Sequence, residues 1–214
     1  MSWDAFEGGP PGRGRSEPVE LVGPHLRVSA MVDLLRFTRL VDLVNHSRGY
    51  VRIHEARLLR RNGEPTPLVV PELYVNQDEI TFIAQATAAA PTAEPVDEWS
   101  TPGAESTSAR IPKYARRFVV FTPGHAIVGT MDVFREMTVA NFVDSTEPRF
   151  VPLTAVTARS LADRRVVSKF DLLLVNRTQM TAVALEGGDD AGPADRRGDN
   201  GVLDQLPEDP PISG

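Results

Sequence analysis

Short runs of apolar residues recur along this chain, and the pattern of residues 25–84 returns about one hundred positions later in residues 116–184. Positions that carry the same residue type at an offset of one hundred include His25 and His125, Val28 and Val128, Met31 and Met131, Val51 and Val151, Val75 and Val175, Asn76 and Asn176, Thr81 and Thr181, and Ala84 and Ala184. A single-residue gap shifts the middle of the alignment to an offset of ninety-nine and closes before Tyr50 meets Phe150. The repeat predicts one small structural unit used twice.

Each copy opens with two β-branched runs separated by a glycine and a proline, Gly23-Pro24 in the first copy and Pro123-Gly124 in the second. Such a pair between two apolar runs indicates a tight turn, so each copy should begin with a β-hairpin.

A helical spacing follows the hairpin in both copies. Leu40, Leu43 and Val44 stand at i, i+3 and i+4, and the second copy has Val139, Phe142 and Val143 at the same spacing. This predicts a helix of one to two turns, with Thr38 or Thr138 as its N-cap and Asn45 or Asp144 near its end. Because so short a helix is unstable alone, its apolar stripe should cover the sheet.

Three more strands are predicted in each copy, at 50–59, 68–76 and 80–84 and at 150–159, 166–176 and 180–185. Val51 and Ile53, like Val151 and Leu153, keep a period of two and should point inward. Pro71 has no proline opposite it in the second copy, which indicates an edge or bulged strand. The predicted fold class is therefore mainly β: two tandem copies of a five-stranded antiparallel barrel-like unit, with a short helix between strands 2 and 3.

Composition divides the chain further. Residues 1–16 are rich in Gly and Pro and predict a disordered leader; residues 17–86 form the first β-module, and 87–113 read as a flexible linker. Residues 114–186 form the second module, and residues 187–214 predict an acidic disordered tail.

Charge is uneven along the chain. The formal net charge is −6, and residues 186–214 alone hold eight acids and two arginines, whereas residues 114–185 carry nine bases and six acids. There are no cysteines, which excludes disulfides and thiolate chemistry. Neither a secretory signal nor a long apolar span is present, so we expect a soluble cytoplasmic protein without membrane insertion.

No constellation of residues announces catalysis. His25 and His125 fall at the hairpin turn, where a histidine capping the backbone is expected rather than a metal ligand. Asn76 and Asn176 precede a tight turn, where an Asn side chain commonly bonds its own backbone. Asp33 with Arg36, like Asp132 with Arg135, should form an ion pair at the corner before the helix. We find no phosphate loop, HExxH or GxSxG motif, and expect no enzyme, no cofactor and no metal site.

The strand succession of the second module, residues 118–134 with the central Gly129, then 150–158 and 169–184, resembles that of Sm-like small barrels. In that family the helix precedes the first strand, whereas here it follows the second; Asn176-Arg177 occupies the place of the family's Arg-Gly. The order and spacing also resemble small bacterial domains without an assigned activity. The resemblance implies small barrels and, through the Sm-like family, nucleic-acid binding.

Our leading interpretation is a non-catalytic interaction or scaffolding subunit, with a protein partner or self-association through exposed strand edges or helix faces. The alternative is an Sm-like nucleic-acid-binding protein that uses the basic second module, and the candidate contacts are Arg116, Arg117, Arg164, Arg165 and Arg177. A third hypothesis is small-molecule sensing between the modules.

Overall fold

The computed structural model of the chain describes residues 15–60, 63–85, 113–162 and 167–186. The predicted leader, linker and tail lie almost wholly outside the described residues, as do Arg164 and Arg165. Within the described ranges, no helix has both the length and the apolar character needed to cross a membrane.

The first half of the chain has five strands and a helix, and their bounds are β1 (Ser16–Val22), β2 (Arg27–Asp33), α1 (Leu40–His46), β3 (Tyr50–Leu59), β4 (Pro65–Asn76) and β5 (Phe82–Gln85). The second half repeats this order with β6 (Lys113–Thr122), β7 (His125–Phe134), α2 (Val139–Asp144), β8 (Phe150–Ser160), β9 (Val167–Asn176) and β10 (Ala182–Leu185). A 3-10 turn precedes the last strand in each half, at Gln77–Glu79 and Arg177–Gln179. The predicted helix after the second strand is thus confirmed in both halves.

The ten strands form one antiparallel sheet with the order β10-β6-β7-β8-β9-β5-β1-β2-β3-β4. The mainly β class is confirmed, but the barrel closure expected for each unit is not shown among the described strands, because the sheet is not closed. Closing the first five strands would require β4 to pair with β5. Instead β5 is bonded to β1 and β9, and β4 ends the sheet. The edge position that Pro71 predicted for β4 is therefore confirmed.

The chain divides into two compact units. Of the described residues, the first unit contains 15–60 and 63–85 together with two short segments from later in the chain, 148–151 and 174–179. The second contains 113–147, 152–162, 167–173 and 180–186.

In the first unit, the inward positions of the strands and the stripe of α1 form the core. Val28, Ile53 and Val44 are fully buried. The predicted Thr38 cap is wrong: Arg39 is the N-cap of α1 and makes no side-chain capping bond. Burial of Leu40, Leu43 and Val44, rather than capping, therefore stabilises this helix.

In the second unit, β6 and β7 form the predicted hairpin, with a register that runs from Lys113 opposite Phe134 to Thr122 opposite His125. The rings of Phe118 and Phe142 pack with their centroids 5.4 Å apart, which anchors α2 on the sheet. Here the predicted cap is confirmed, because the Thr138 hydroxyl accepts a hydrogen bond of 3.1 Å from the Asn141 N–H.

A β-bulge with a left-handed residue recurs at one repeat position. Glu55 has a φ of 53° and Ala155 a φ of 49°, and the pairing register shifts beside each of them. An extra residue bends a strand sharply, so both third strands curve at the same point. Facing the second bulge is Gly129, where a Cβ would lie 2.9 Å from Cγ2 of Val156.

Candidate functional site: covered and open strand edges

The first unit contains a place where the end of β9 lies beside the start of β5, which we call the strand junction. The Asn176 N–H donates to the Thr81 carbonyl at 2.9 Å. The Asn176 side-chain amide donates to two further carbonyls, those of Gln77 at 2.9 Å and Ile80 at 2.8 Å. Its own oxygen accepts from the Thr178 N–H, so one buried side chain satisfies both the turn and the neighbouring strand.

The segment 148–151 completes the strand junction. The Asn45 side chain bonds both backbone groups of Phe150, donating to its carbonyl at 2.9 Å and accepting from its N–H at 2.7 Å. Arg149 forms an ion pair with Asp78, whose carbonyl also accepts a hydrogen bond of 2.7 Å from the Gln179 amide. These contacts fix strand ends that come from distant parts of the sequence.

Side-chain burial differs between the edge of β9, which β5 covers, and the equivalent edge of β4, which ends the sheet. Phe150 and Leu174 are 0 % exposed in the strand junction. Tyr50 and Tyr74, which occupy the equivalent positions of the first copy, are 57 % and 59 % exposed. The edge of β4 in the first copy is therefore open, whereas the equivalent edge of β9 in the second copy is covered.

The fifth strands differ in the same way. In β5, Phe82, Ile83 and Ala84 are buried. In β10, Ala182 and Ala184 are exposed and the residues between and after them are half-buried. β4 and β10 thus end the described sheet, each with a strand on one side only, and we call them the open edges. The helix α2 lies close to β10.

A polar cluster lies on the open β4 edge. Arg52 pairs with Glu72 through a 2.6 Å contact between Nε and Oε1, and the Tyr74 hydroxyl donates to the same carboxylate at 2.7 Å. The hydrogen bond from Tyr74 and, to a smaller extent, the one from Arg52 lower the pKa of Glu72. The hydrogen bond to Glu72 raises the pKa of Tyr74. This cluster orients the exposed tyrosine on the edge.

An open groove with a volume of about 310 Å³ adjoins this edge. Its mainly apolar lining consists of His25, Leu26, Leu58, Val70, Leu73, Tyr74, Val75, Asn76 and Glu79. The groove gives an incoming side chain apolar surface to pack on.

Of the arginines proposed for nucleic-acid contact, Arg116, Arg117 and Arg177 lie among the described residues. Arg116 and Arg117 are neighbours on β6, so their side chains point to opposite faces, and Arg117 Nε lies 2.6 Å from Glu186. Arg177 belongs to the other compact unit, where burial lowers its pKa and its Nε donates to the Pro148 carbonyl at 3.2 Å.

The polar residues of the turns behave partly as predicted. Asn76 and Asn176 both cap their own turns, which confirms that prediction. The corner ion pair is wrong for Asp33, which instead bonds the Ser16 hydroxyl and lies 3.0 Å from His54 Nε2. Arg36 stacks over the Phe37 ring, 5.3 Å from its centroid. The reason is that β1 and β3 pair with β2 on its two sides and place a hydroxyl and an imidazole next to this carboxylate.

Among the described residues, no group of three or more His, Asp or Glu side chains could hold a metal ion. His25 is exposed at the turn and His125 begins β7. Two residues that the sequence does not single out are central instead. Asn45, predicted only near the helix end, bonds Phe150, and the buried Gln77 donates to the Val44 carbonyl at 2.8 Å. The sequence offers one signal for Gln77: it directly follows Asn76, an asparagine that recurs at position 176.

In comparisons with protein-family models, with curated proteins and with solved structures, nothing matches this chain.

Proposed function

We propose that this protein is a non-catalytic interaction or scaffolding subunit, and that its open strand edges receive another polypeptide. The observation that supports this proposal is the contrast at repeat positions: Leu174 is fully buried on β9, which lies beside β5, whereas Tyr74 is 59 % exposed on β4, which ends the sheet. Unpaired edge strands present N–H and C=O groups that readily accept an added strand.

The distribution of prolines along β4 favours pairing at one end of that strand. Its first part contains Pro65, Pro67 and Pro71, and a proline cannot donate to a ladder. Residues 72–76 contain no proline and correspond to 172–176, whose end is the part covered in the strand junction. Alternate backbone groups of residues 72–76 bond β3, and no proline removes a donor from the remainder, so a strand added here would find the outward-facing donors and acceptors intact.

Site-specific photo-cross-linking in the cells of origin tests the proposal. A photoreactive residue at Tyr74 should give a discrete cross-linked polypeptide, because this position borders the site of strand addition. Leu161, which is exposed to 42 % and lies outside the strands, is the matched control. Cross-links of equal yield and pattern from the two positions, or none from Tyr74, would contradict the proposal.

The alternative function is nucleic-acid binding by the basic second module. Arg116 remains half-buried on β6 without the ion pair that engages Arg117, and it is the described arginine that best supports this alternative. Binding through phosphates predicts an affinity that falls steeply as salt rises, and Arg116→Gln should reduce both the affinity and the salt slope. Retention of RNA or DNA that is indifferent to salt would contradict it.

A further inference from the structure

We propose that the occupant of each open edge is a second copy of this chain, with β4 of one copy paired antiparallel to β10 of the next. This inference rests on the proposed function and specifies its partner. It follows from which edges are already used: β9, the fourth strand of its half, lies beside β5, the fifth strand of the other half. The fourth and fifth strands that remain open are β4 and β10.

Such pairing is heterologous, since each copy contributes two different edges. One chain that offers a β4 edge and a β10 edge can be joined head to tail with others, into a ring or a linear assembly. The contact of β9 with β5 within one chain would then have an equivalent in the contact of β4 with β10 between two chains.

The strand junction also predicts the register between copies. Asn176 bonds Thr81, Gln77 and Ile80, and the repeat places Asn76 opposite the counterparts of these three residues. The Asn76 N–H should therefore donate to the Thr181 carbonyl of the next copy. Its side-chain amide should donate to the carbonyls of Arg177 and Met180.

The side chains of Asn76 and its neighbours are prepared for this contact. Asn76 is half-buried and its oxygen accepts from the Asp78 N–H at 3.0 Å, as the Asn176 oxygen accepts from the Thr178 N–H in the strand junction. Tyr50 and Tyr74 would be covered as Phe150 and Leu174 are in the strand junction. Tyrosine combines apolar area with a polar tip, which suits a surface that is wet before association and buried afterwards.

The contact between copies should be weaker than the strand junction. The ion pair between Arg149 and Asp78 has no counterpart, because Gly49 and Thr178 stand at the equivalent positions. Asn45, which holds Phe150 through two hydrogen bonds, is matched by Asp144, whose carboxylate can accept from an N–H but cannot donate. Association should accordingly depend on protein concentration.

Two substitutions disable one edge each. Asn76→Asp keeps the oxygen that caps the turn and removes both amide donors from β4. On β10, the Glu186 N–H bonds the Arg117 carbonyl, so the alternation of an antiparallel ladder directs the Val183 N–H to the open side. Val183→Pro removes that donor while the pairing with β6 is kept, and Val183→Ala is its matched control.

Light scattering after size exclusion, across a wide range of concentrations, tests the inference on the full chain. The parent protein should exceed the mass of one chain as concentration rises, and each disabling substitution should weaken association by at least about tenfold. Leu68→Lys, at an exposed β4 position outside the predicted register, should leave association unchanged, as should Val183→Ala. Circular dichroism establishes that each variant keeps its strands.

Mixing the two disabled variants gives the sharpest outcome. The Asn76→Asp copy retains β10 and the Val183→Pro copy retains β4, so together they should form a dimer of one copy each and stop there. Monomers in the mixture, or a parent chain that stays monomeric at every concentration, would overturn the inference. If the parent chain is monomeric while Tyr74 cross-links to a different protein, self-pairing is wrong and the proposed function stands.

Discussion

Replacing the aromatic side chain at the two equivalent positions, Phe150 and Tyr50, measures what the strand junction contributes to stability. Phe150→Ala removes a ring that is 0 % exposed, whereas Tyr50→Ala removes one that is 57 % exposed. A fully buried Phe to Ala change costs about 3–5 kcal/mol, since the transfer energy of the ring and the cavity both count. An exposed site should lose less than about 1 kcal/mol. The hydrogen bonds between the Asn45 side chain and the backbone of residue 150 remain in either variant.

Urea unfolding followed by circular dichroism, in dilute protein, provides the comparison. We expect Phe150→Ala to lower the unfolding midpoint strongly at an unchanged slope, and thermal unfolding to shift by about 10 °C for a chain of this size. Tyr50→Ala should remain close to the parent protein. Equal losses in the free energy of unfolding for the two variants would show that the covered and open edges are not distinct.

Two further predictions concern positions away from the edges. Gly129→Val should lower the free energy of unfolding by about 1–3 kcal/mol, because its Cβ would lie 2.9 Å from Val156; the equivalent Ser29→Val, in denaturant titrations, is the control, and equal losses would contradict the close approach. Asp33→Asn should reduce stability at neutral pH but not in acid: the Ser16 hydroxyl and then His54 lower the pKa of Asp33 from 3.8, so its contribution is present above that value and lost as pH falls through the folded pKa. A parent-to-variant gap that is independent of pH would refute this.

Much of the local fold could be predicted from the sequence because each strand and helix is indicated by two equivalent segments of the repeat. The hairpins, the helix after the second strand and the inward positions Val51 and Ile53 follow from turn residues and periodicity. Thr138 caps its helix as predicted, while Thr38 does not, since burial of the α1 stripe makes a cap dispensable.

The sheet's connectivity could not be predicted in the same way. Periodicity shows which face of a strand is buried but not which strand lies beside it, so the pairing that leaves β4 and β10 open had no signal in either copy alone. The residues that hold the strand junction are likewise hidden. Asn45 and Asn176 resemble ordinary helix-end and turn asparagines until the segments they bond, 148–151 and 77–81, are brought together.

Amide hydrogen exchange at Asn76 and Asn176, read by NMR in dilute full-length protein, tests most directly whether one unit occurs twice with one edge covered and one open. The two amides hold the same repeat position, and that of Asn176 donates to the Thr81 carbonyl. The Gln77 N–H bonds the Gly49 carbonyl, so the alternation of the ladder between β3 and β4 directs the Asn76 N–H to the open side. We predict slow exchange at Asn176 and exchange near the unprotected rate at Asn76. Equal protection of the two amides would contradict the account.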